Sequence, residues 1–322
     1  MFPAKEKLTI GFAHVAYQFQ TLFERRRTGI KCFQAWNRDE LDDRIGEADV
    51  LVISGLWRND LIERATRLRF IQSIGAGTDQ FSRELLSKRG IRLASSRGVN
   101  ARAVSEHALA LMLALARRLP EARDNQAKRV WRDMIGDASV REDELAGKTV
   151  IVVGMGAIGG RLAQLARAFG MQVIGIRRDP ALGKGEADAV HPSAELKLLL
   201  PKADYVVLTC PLTKETEGMI DADALSRMKR SAYFVNVARG RCADESALIK
   251  ALSEGRIAGA ALDVTAEEPL PAGSPLWGME NVFITPHTAG ETRRYEENVL
   301  DILQENLDRL WRGESMLRNQ VL

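Results

Sequence analysis

Short apolar runs recur along the chain, separated by polar stretches with helical spacing. The first series passes through Leu8-Thr9-Ile10, Val50-Leu51-Val52-Ile53, Phe70-Ile71-Gln72 and Ile91-Arg92-Leu93, with helical stretches at 40–45 and 60–65 between them. Alternation of this kind predicts parallel strands covered by helices on both faces. After Asn100 an amphipathic pattern runs over 104–119 and is expected to stop at Pro120. The charged stretch 121–147, which carries Trp131 and Met134, is too long for a simple connector. It is expected to form a helix and an extended arm that packs against a second copy. A second series of strands follows, at Val150, Val173, 205–208, 233–237, 258–262 and 282–284, and 291–311 reads as one helix ending near Gly313.

The second series opens with the most distinctive stretch. The run 150–153 ends in Gly154-Met155-Gly156-Ala157-Ile158-Gly159, a helical pattern follows at Leu162, Leu165, Ala166 and Phe169, and a second run, 173–176, comes after Gly170. This is a βαβ unit with its glycines at the first strand-to-helix turn. Gly154 permits the tight turn, Gly156 lets the backbone approach a pyrophosphate, and Gly159 lets helix and strand pack closely. The helix N-terminus adds unpaired N–H groups and a positive dipole end. At the end of the second strand, where an NAD site places an acidic residue for the ribose, stand Arg177 and Arg178. Two cations suit a 2′-phosphate, so NADP(H) is the preferred cofactor; Asp179, next along, leaves NAD(H) open.

Composition narrows the class. A chain of 322 residues exceeds one ordinary core and predicts two domains. Its 45% hydrophobic and 28% charged residues are ordinary for a globular protein. The net charge of +3 is spread along the chain and does not point to nucleic acid; the run Arg25-Arg26-Arg27 is too short to change that. Three cysteines, Cys32, Cys210 and Cys242, form no CxxC pair, and their odd number argues against a disulfide framework. No His/Cys/Asp cluster has metal-ligand spacing. The N-terminus lacks a signal-peptide core, and the most apolar segment, 108–116, is far short of a membrane span. A cytoplasmic protein is expected.

In open parallel sheets, ligands bind beyond the carboxyl ends of the strands. Besides the glycine turn, three strand ends here carry reactive residues: Arg239 after FVNVA, Asp263 after GAAL and His287 after FITP. A carboxylate clamp, a proton donor and a hydride carrier are the parts needed to reduce a 2-keto acid.

The segments VVGMGAIGGRLA, FVNVARG, ALDVTAEEPLP and ITPHTAG stand in the order and spacing of the D-isomer-specific 2-hydroxyacid dehydrogenase family. SIGAGTDQF and SSRGVNARAVSEHALALML resemble that family's substrate loop and interdomain helix, so the resemblance spans essentially the whole chain. Within the family, SRGVN and GIRRDP are more similar to the glyoxylate/hydroxypyruvate reductase branch than to the phosphoglycerate branch.

The resemblance implies an α/β fold of two Rossmann-like domains with parallel sheets. The substrate domain would be discontinuous, 1–99 and 290–322, the dinucleotide domain would take 100–289, and the active site would lie in the interdomain cleft. Arg239 would bind the substrate carboxylate and 2-oxo oxygen. His287 would donate the proton, and Glu268 would orient its ring. Backbone N–H groups at Ala76 and Gly77 would hold the carboxylate as well. Cofactor contacts would come from Gly154, Met155, Gly156, Ala157, Ile158, Gly159, Arg177, Arg178, Cys210, Pro211, Val237, Ala238, Asp263, His287 and Ala289, with Asp263 on the nicotinamide carboxamide. Cys210 is expected to contribute backbone, with an unreactive thiol. His107 and Glu106 are expected to be structural. From position alone, Trp57 and Leu56 would cap the substrate pocket. A homodimer through 100–147 is implied. Two rivals use the same fold: an NAD(H)-sensing corepressor group, told apart by slow turnover, and a formate dehydrogenase branch, which has glutamine where this chain has Glu268.

Overall fold

The computed structural model describes residues 2–322; Met1, the first residue of the expected substrate domain, lies outside them. The chain divides into two compact units, Met1–Asn100 with Thr292–Leu322, and Ala101–Glu291.

In the first unit the elements are β1 (Thr9–Ala13), α1 (Phe19–Arg25), β2 (Lys31–Ala35), α2 (Arg38–Arg44), β3 (Val50–Ile53), β4 (Phe70–Ser73), α3 (Arg83–Lys88) and β5 (Arg92–Ala94), joined by a C-terminal helix, Tyr295–Trp311. The five strands are all parallel, in the order β2-β1-β3-β4-β5. β1 and β3 are buried throughout, so both faces of the sheet must be covered. One face packs Ile10, Phe12, Val50 and Val52 against Phe19 and Phe23 of α1 and Val299, Leu303 and Leu307 of the C-terminal helix. The other packs Leu51, Ile53 and Ile71 against Leu41, Leu61 and Leu86. The C-terminal helix is also pinned by polar contact: buried Asn306 donates to Gln72 Oε1 on β4 at 2.9 Å.

The second unit holds α4 (Ala101–Ala116), α5 (Leu119–Lys128), β6 (Thr149–Val153), α6 (Ala157–Ala168), β7 (Gln172–Ile176), β8 (Ala189–His191), α7 (Leu196–Leu199), β9 (Tyr205–Leu208), α8 (Ala222–Arg227), β10 (Tyr233–Asn236), α9 (Glu245–Ser253), β11 (Gly259–Leu262) and β12 (Val282–Ile284). Its seven parallel strands run β12-β11-β10-β9-β6-β7-β8. The chain winds outward from β6 in one direction and then returns to its other side at β9. That reversal opens a crevice at the carboxyl ends of β6 and β9, where open α/β sheets take ligands. α4 and α6 cover one face through Ala108, Leu111, Met112 and Leu115 with Leu162, Ala163 and Ala166. Leu225, Leu248 and Leu252 help cover the other. Both units are Rossmann-like α/β sheets.

Several elements differ from their sequence-based outlines. Pro120 opens a helix rather than closing one. α4 ends at Ala116, Arg118 turns the chain in the left-handed region (φ 51°), and Pro120 lies in the first turn of α5, where its missing N–H is not needed. The stretch expected as a helix at 60–65 is a 3-10 turn, Asn59–Glu63, and the C-terminal helix begins at Tyr295 rather than at 291. Strands β2 and β8 were not expected, because Lys31 and Gln34 interrupt the apolar pattern of β2 and β8 is only three residues long. No helix among the described residues is long and apolar enough to cross a membrane.

Candidate active site

The glycine turn is built by close backbone approach. Gly154 has φ +106°, and a Cβ there would lie 2.6 Å from Cys210 N, so no side chain fits between the ends of β6 and β9. A Cβ on Gly159 would lie 2.2 Å from Gly154 O. Gly156 faces open space, and as N-cap of α6 it makes no side-chain capping bond. The first-turn N–H groups at Ala157, Ile158 and Gly159 therefore face outward without a side-chain acceptor, at the positive end of the helix. This donor set fits a pyrophosphate, and the open volume at Gly156 is where one would sit. Met155 is buried on the sheet side, its Cγ 2.6 Å from where a Cβ of Gly175 would stand.

Past β7, Arg177 donates to Gly183 O at 2.9 Å, and Arg178 is exposed. The carboxylate of Asp179 accepts from Ala181 N at 3.0 Å and caps the turn Pro180–Leu182. One of its two oxygens is thereby engaged within its own loop. Past β9, Cys210 is buried, and contact with the Cys242 thiol, with burial adding to it, pushes its thiol pKa up. Pro211 O accepts the Thr216 hydroxyl at 2.7 Å.

β10 presents Arg239. Buried Asn236, at the end of that strand, accepts from Ala238 N at 3.0 Å and donates to Arg239 O at 3.0 Å, which folds the backbone into a fixed turn. Val237 and Ala238 are buried within it. The Arg239 guanidinium is exposed and donates once, to Ala238 O at 2.7 Å. Among the described residues no carboxylate is salt-bridged to it, so it does not serve as half of a structural ion pair. Next to it, a Cβ on Gly240 would lie 1.9 Å from Thr265 C and O. Only glycine lets the loop after β11 lie against this turn.

That loop carries Glu268. Its Oε1 accepts from Thr265 N at 3.1 Å, while Glu245 Oε2 of α9 holds Ala266 N at 2.8 Å. Glu268 Oε2 lies 2.6 Å from His287 Nδ1. Glu268, not the adjacent Glu267, meets the ring; Glu267 instead offers its carbonyl to the Thr265 hydroxyl at 2.7 Å. With Nδ1 engaged, the free face of the imidazole is Nε2. His287 sits at φ +56°, a region a side-chain-bearing residue rarely adopts. Its N–H donates to Asp263 O at 2.8 Å and Thr285 O at 3.0 Å.

Asp263 is only 2% exposed. Its carboxylate accepts from Thr288 N at 3.0 Å, from Ala289 N at 3.1–3.2 Å and from the Thr285 hydroxyl at 2.6 Å. The acid read at a strand end is thus occupied in shaping the His287 loop. Sequence reasoning passed over Thr285, Asn236 and Glu245, and it gave His107 a purely structural part. Asn236 did carry a signal, a polar residue inside the apolar run FVNVA.

On the first unit, Ala76 is exposed and Gly77 partly so, in the loop after β4. Ser73 Oγ donates within this loop, 3.3 Å from both Gly75 O and Gly77 O, and Ser96 N reaches Gly75 O at 3.0 Å. Trp57 packs into the first unit. It is 3% exposed in the core of this unit, tilted against Phe81 at 5.4 Å between ring centroids, with its N–H on Asn59 Oδ1 at 3.1 Å. An indole at the end of a buried strand gains more from the core than from solvent.

Comparison with known proteins gives the same fold a lineage. Residues 109–289 match the sequence model of the D-isomer specific 2-hydroxyacid dehydrogenase, NAD binding domain. Glyoxylate/hydroxypyruvate reductase B of Yersinia pestis is 37% identical over 292 residues, covering 89% of this chain and 89% of that protein. D-3-phosphoglycerate dehydrogenase of Methanocaldococcus jannaschii is 36% identical over 281 residues, 86% of this chain but 52% of that protein. The chain thus spans about half the length of that relative. A solved structure, a D-isomer specific 2-hydroxyacid dehydrogenase family protein from Aeromonas salmonicida, superposes with a TM-score of 0.85 at 30% identity, covering 98% of this chain and 99% of the other. With these matches, the chain belongs to the D-isomer specific 2-hydroxyacid dehydrogenase family.

Proposed function

We propose that the chain is an NADP(H)-preferring reductase that converts small 2-keto acids, glyoxylate and hydroxypyruvate first, to D-2-hydroxy acids. The observation that carries this reading is the 2.6 Å pair between Glu268 Oε2 and His287 Nδ1. It leaves Nε2 free on a loop fixed from both sides.

In this reading the first unit is the substrate domain and the second the dinucleotide domain. The backbone from Gly154 to Gly159 would hold the pyrophosphate, and the cofactor supplies the hydride when bound. Cys210, Pro211, Val237, Ala238 and Ala289 are the further proposed cofactor contacts. Arg239 offers a planar fork of N–H donors that matches a carboxylate with its neighbouring 2-oxo oxygen. His287 gives a proton from Nε2 to that oxygen as negative charge builds on it. Glu268 keeps the ring in orientation and fixes the proton on Nδ1. Asp263 would act mainly by holding the loop. The backbone at Ala76 and Gly77 is the proposed substrate contact on the first unit.

The cofactor preference rests on charge. Arg177 and Arg178 follow β7, while Asp179 already accepts from Ala181 N through one of its oxygens. Initial rates with NADPH and NADH, each against glyoxylate, hydroxypyruvate, pyruvate and phenylpyruvate, test both points. NADPH is expected to lead by roughly tenfold or more in kcat/KM, the scale of one charge-assisted contact to a phosphate. Turnover with NADH alone would discard the 2′-phosphate argument and keep the enzyme. Tight dinucleotide binding without turnover of any acid would favour the sensing role of the corepressor group.

A homodimer through 100–147 is the proposed assembly. Trp131 and Met134 are each 97% exposed, and Leu119, Val130 and Val140 of the same stretch are also exposed. Apolar side chains gathered this way mark a protein contact. Sedimentation should find a dimer that Trp131→Glu with Met134→Glu converts to monomer; a monomeric parent protein would refute it. Three free thiols fit the reducing cytoplasm as its proposed setting.

A further inference from the structure

His107 belongs to α4, yet its ring reaches the loop that carries His287. Its Nε2 lies 3.0 Å from Thr285 Oγ1 and 3.6 Å from Asp263 Oδ1. The protons in this chain of contacts can be assigned from the groups themselves. A carboxylate only accepts, so the single hydroxyl proton of Thr285 goes to Asp263 Oδ1, 2.6 Å away. The hydroxyl has only lone pairs left for His107, so His107 Nε2 carries the proton and donates. The order is therefore His107 to Thr285 to Asp263.

Asp263 in turn accepts the N–H groups of Thr288 and Ala289 on its side chain and that of His287 on its carbonyl. It grips the chain on both sides of a residue held in the left-handed region. Among the described residues no Lys or Arg is salt-bridged to this buried carboxylate, so its stability rests on correctly aimed donors. Without the donor on α4, the Thr285 hydroxyl still bonds Asp263 but is held from that side alone, and the bond loses the polarisation that the imidazole N–H lends it.

We propose that His107 is a positioning residue for His287, acting through Thr285 and Asp263 to fix the loop from which Nε2 is presented. This rests on the reading of His287 as proton donor. His107→Leu and Thr285→Val should each lower kcat about tenfold or more, since misplacement by a fraction of an ångström is costly in a proton transfer. The dinucleotide Kd, read by fluorescence quenching, should change far less than kcat, because the glycine turn is untouched and only Ala289 among the proposed cofactor contacts lies in the perturbed loop. His107→Gln, whose amide N–H reaches close to the position of Nε2, should recover most of the rate. The double variant should be no slower than the slower single one, as expected for two residues acting as one unit.

A second readout does not need turnover. The chain has four histidines, so nitrogen-15 histidine labelling gives a simple spectrum. His107 should show its proton on Nε2, and His107→Leu and Thr285→Val should each move the His287 ring signals. Retained kcat in His107→Leu, equal loss in His107→Gln, multiplied losses in the double variant, or an unmoved His287 signal would overturn the proposal. If the parent protein turned over no keto acid, the reductase reading would fall, while the spectra would still decide whether His107 governs the His287 loop.

Discussion

Replacement of His287 should cost roughly 10²–10⁴-fold in kcat, the range over which a positioned acid accelerates carbonyl reduction. The choice of variant matters because His287 has φ +56°. Alanine there adds backbone strain to the loss of the imidazole, whereas asparagine tolerates this region and is the cleaner substitution. His287→Asn should keep dinucleotide binding and thermal stability near the parent values and lose turnover. Glu268→Gln should fall between the two, since an amide can still accept from the ring but carries no charge. Steady-state kinetics beside a dinucleotide titration separates the effects. A His287→Asn enzyme running within a few-fold of the parent would show that the proton comes from elsewhere, because loss of a general acid cannot be that mild.

Gly240→Ala should be nearly as damaging, by a different route. Its Cβ would stand 1.9 Å from Thr265 C and O and 2.4 Å from Ala266 N. These are backbone atoms, so no side chain can swing aside; one of the two loops must move. One of them carries Arg239 and the other Glu268, and a displacement of about an ångström is enough for a hundredfold loss in rate. Overpacking of this kind also destabilises by about 1–3 kcal/mol, visible as a lower melting temperature. Gly156→Ala makes the contrast, because nothing lies within 4 Å of that Cβ. It should fold normally and lose dinucleotide affinity. A Gly240→Ala protein with parental kcat and melting temperature would mean that the loops accommodate a methyl group without losing the site.

Much of the fold was legible because parallel strands buried on both faces must be apolar throughout, as VLVI and YVVL are. The glycine turn was legible for a steric reason, since Gly154 and Gly159 leave no room for a side chain. The edge strands β2 and β8 were not, because neither forms a continuous apolar run, whereas the edge strands β5 and β12 do carry short ones. At the candidate site, the strand-end positions of Arg239, Asp263 and His287 could be read, but side-chain direction could not. Trp57 follows a strand end and still turns inward, where Phe81 and Asn59 receive it. The partnership of His107 with Thr285 links residues 178 positions apart and leaves no periodic trace. Asp263 was recognised as important, while the work its carboxylate does on Thr288 and Ala289 is a matter of geometry alone.

The first unit takes its strands from one end of the chain and its covering helix from the other. On the ribosome this imposes an order. The second unit is one continuous stretch, Ala101–Glu291, and all the residues of its core are present once that stretch has emerged. The apolar face made by Ile10, Phe12, Val50 and Val52 must wait for Val299, Leu303 and Leu307. At ordinary rates of synthesis the wait is on the order of ten to forty seconds. For that interval strands already made carry an uncovered apolar face, the kind of surface that a chaperone shields.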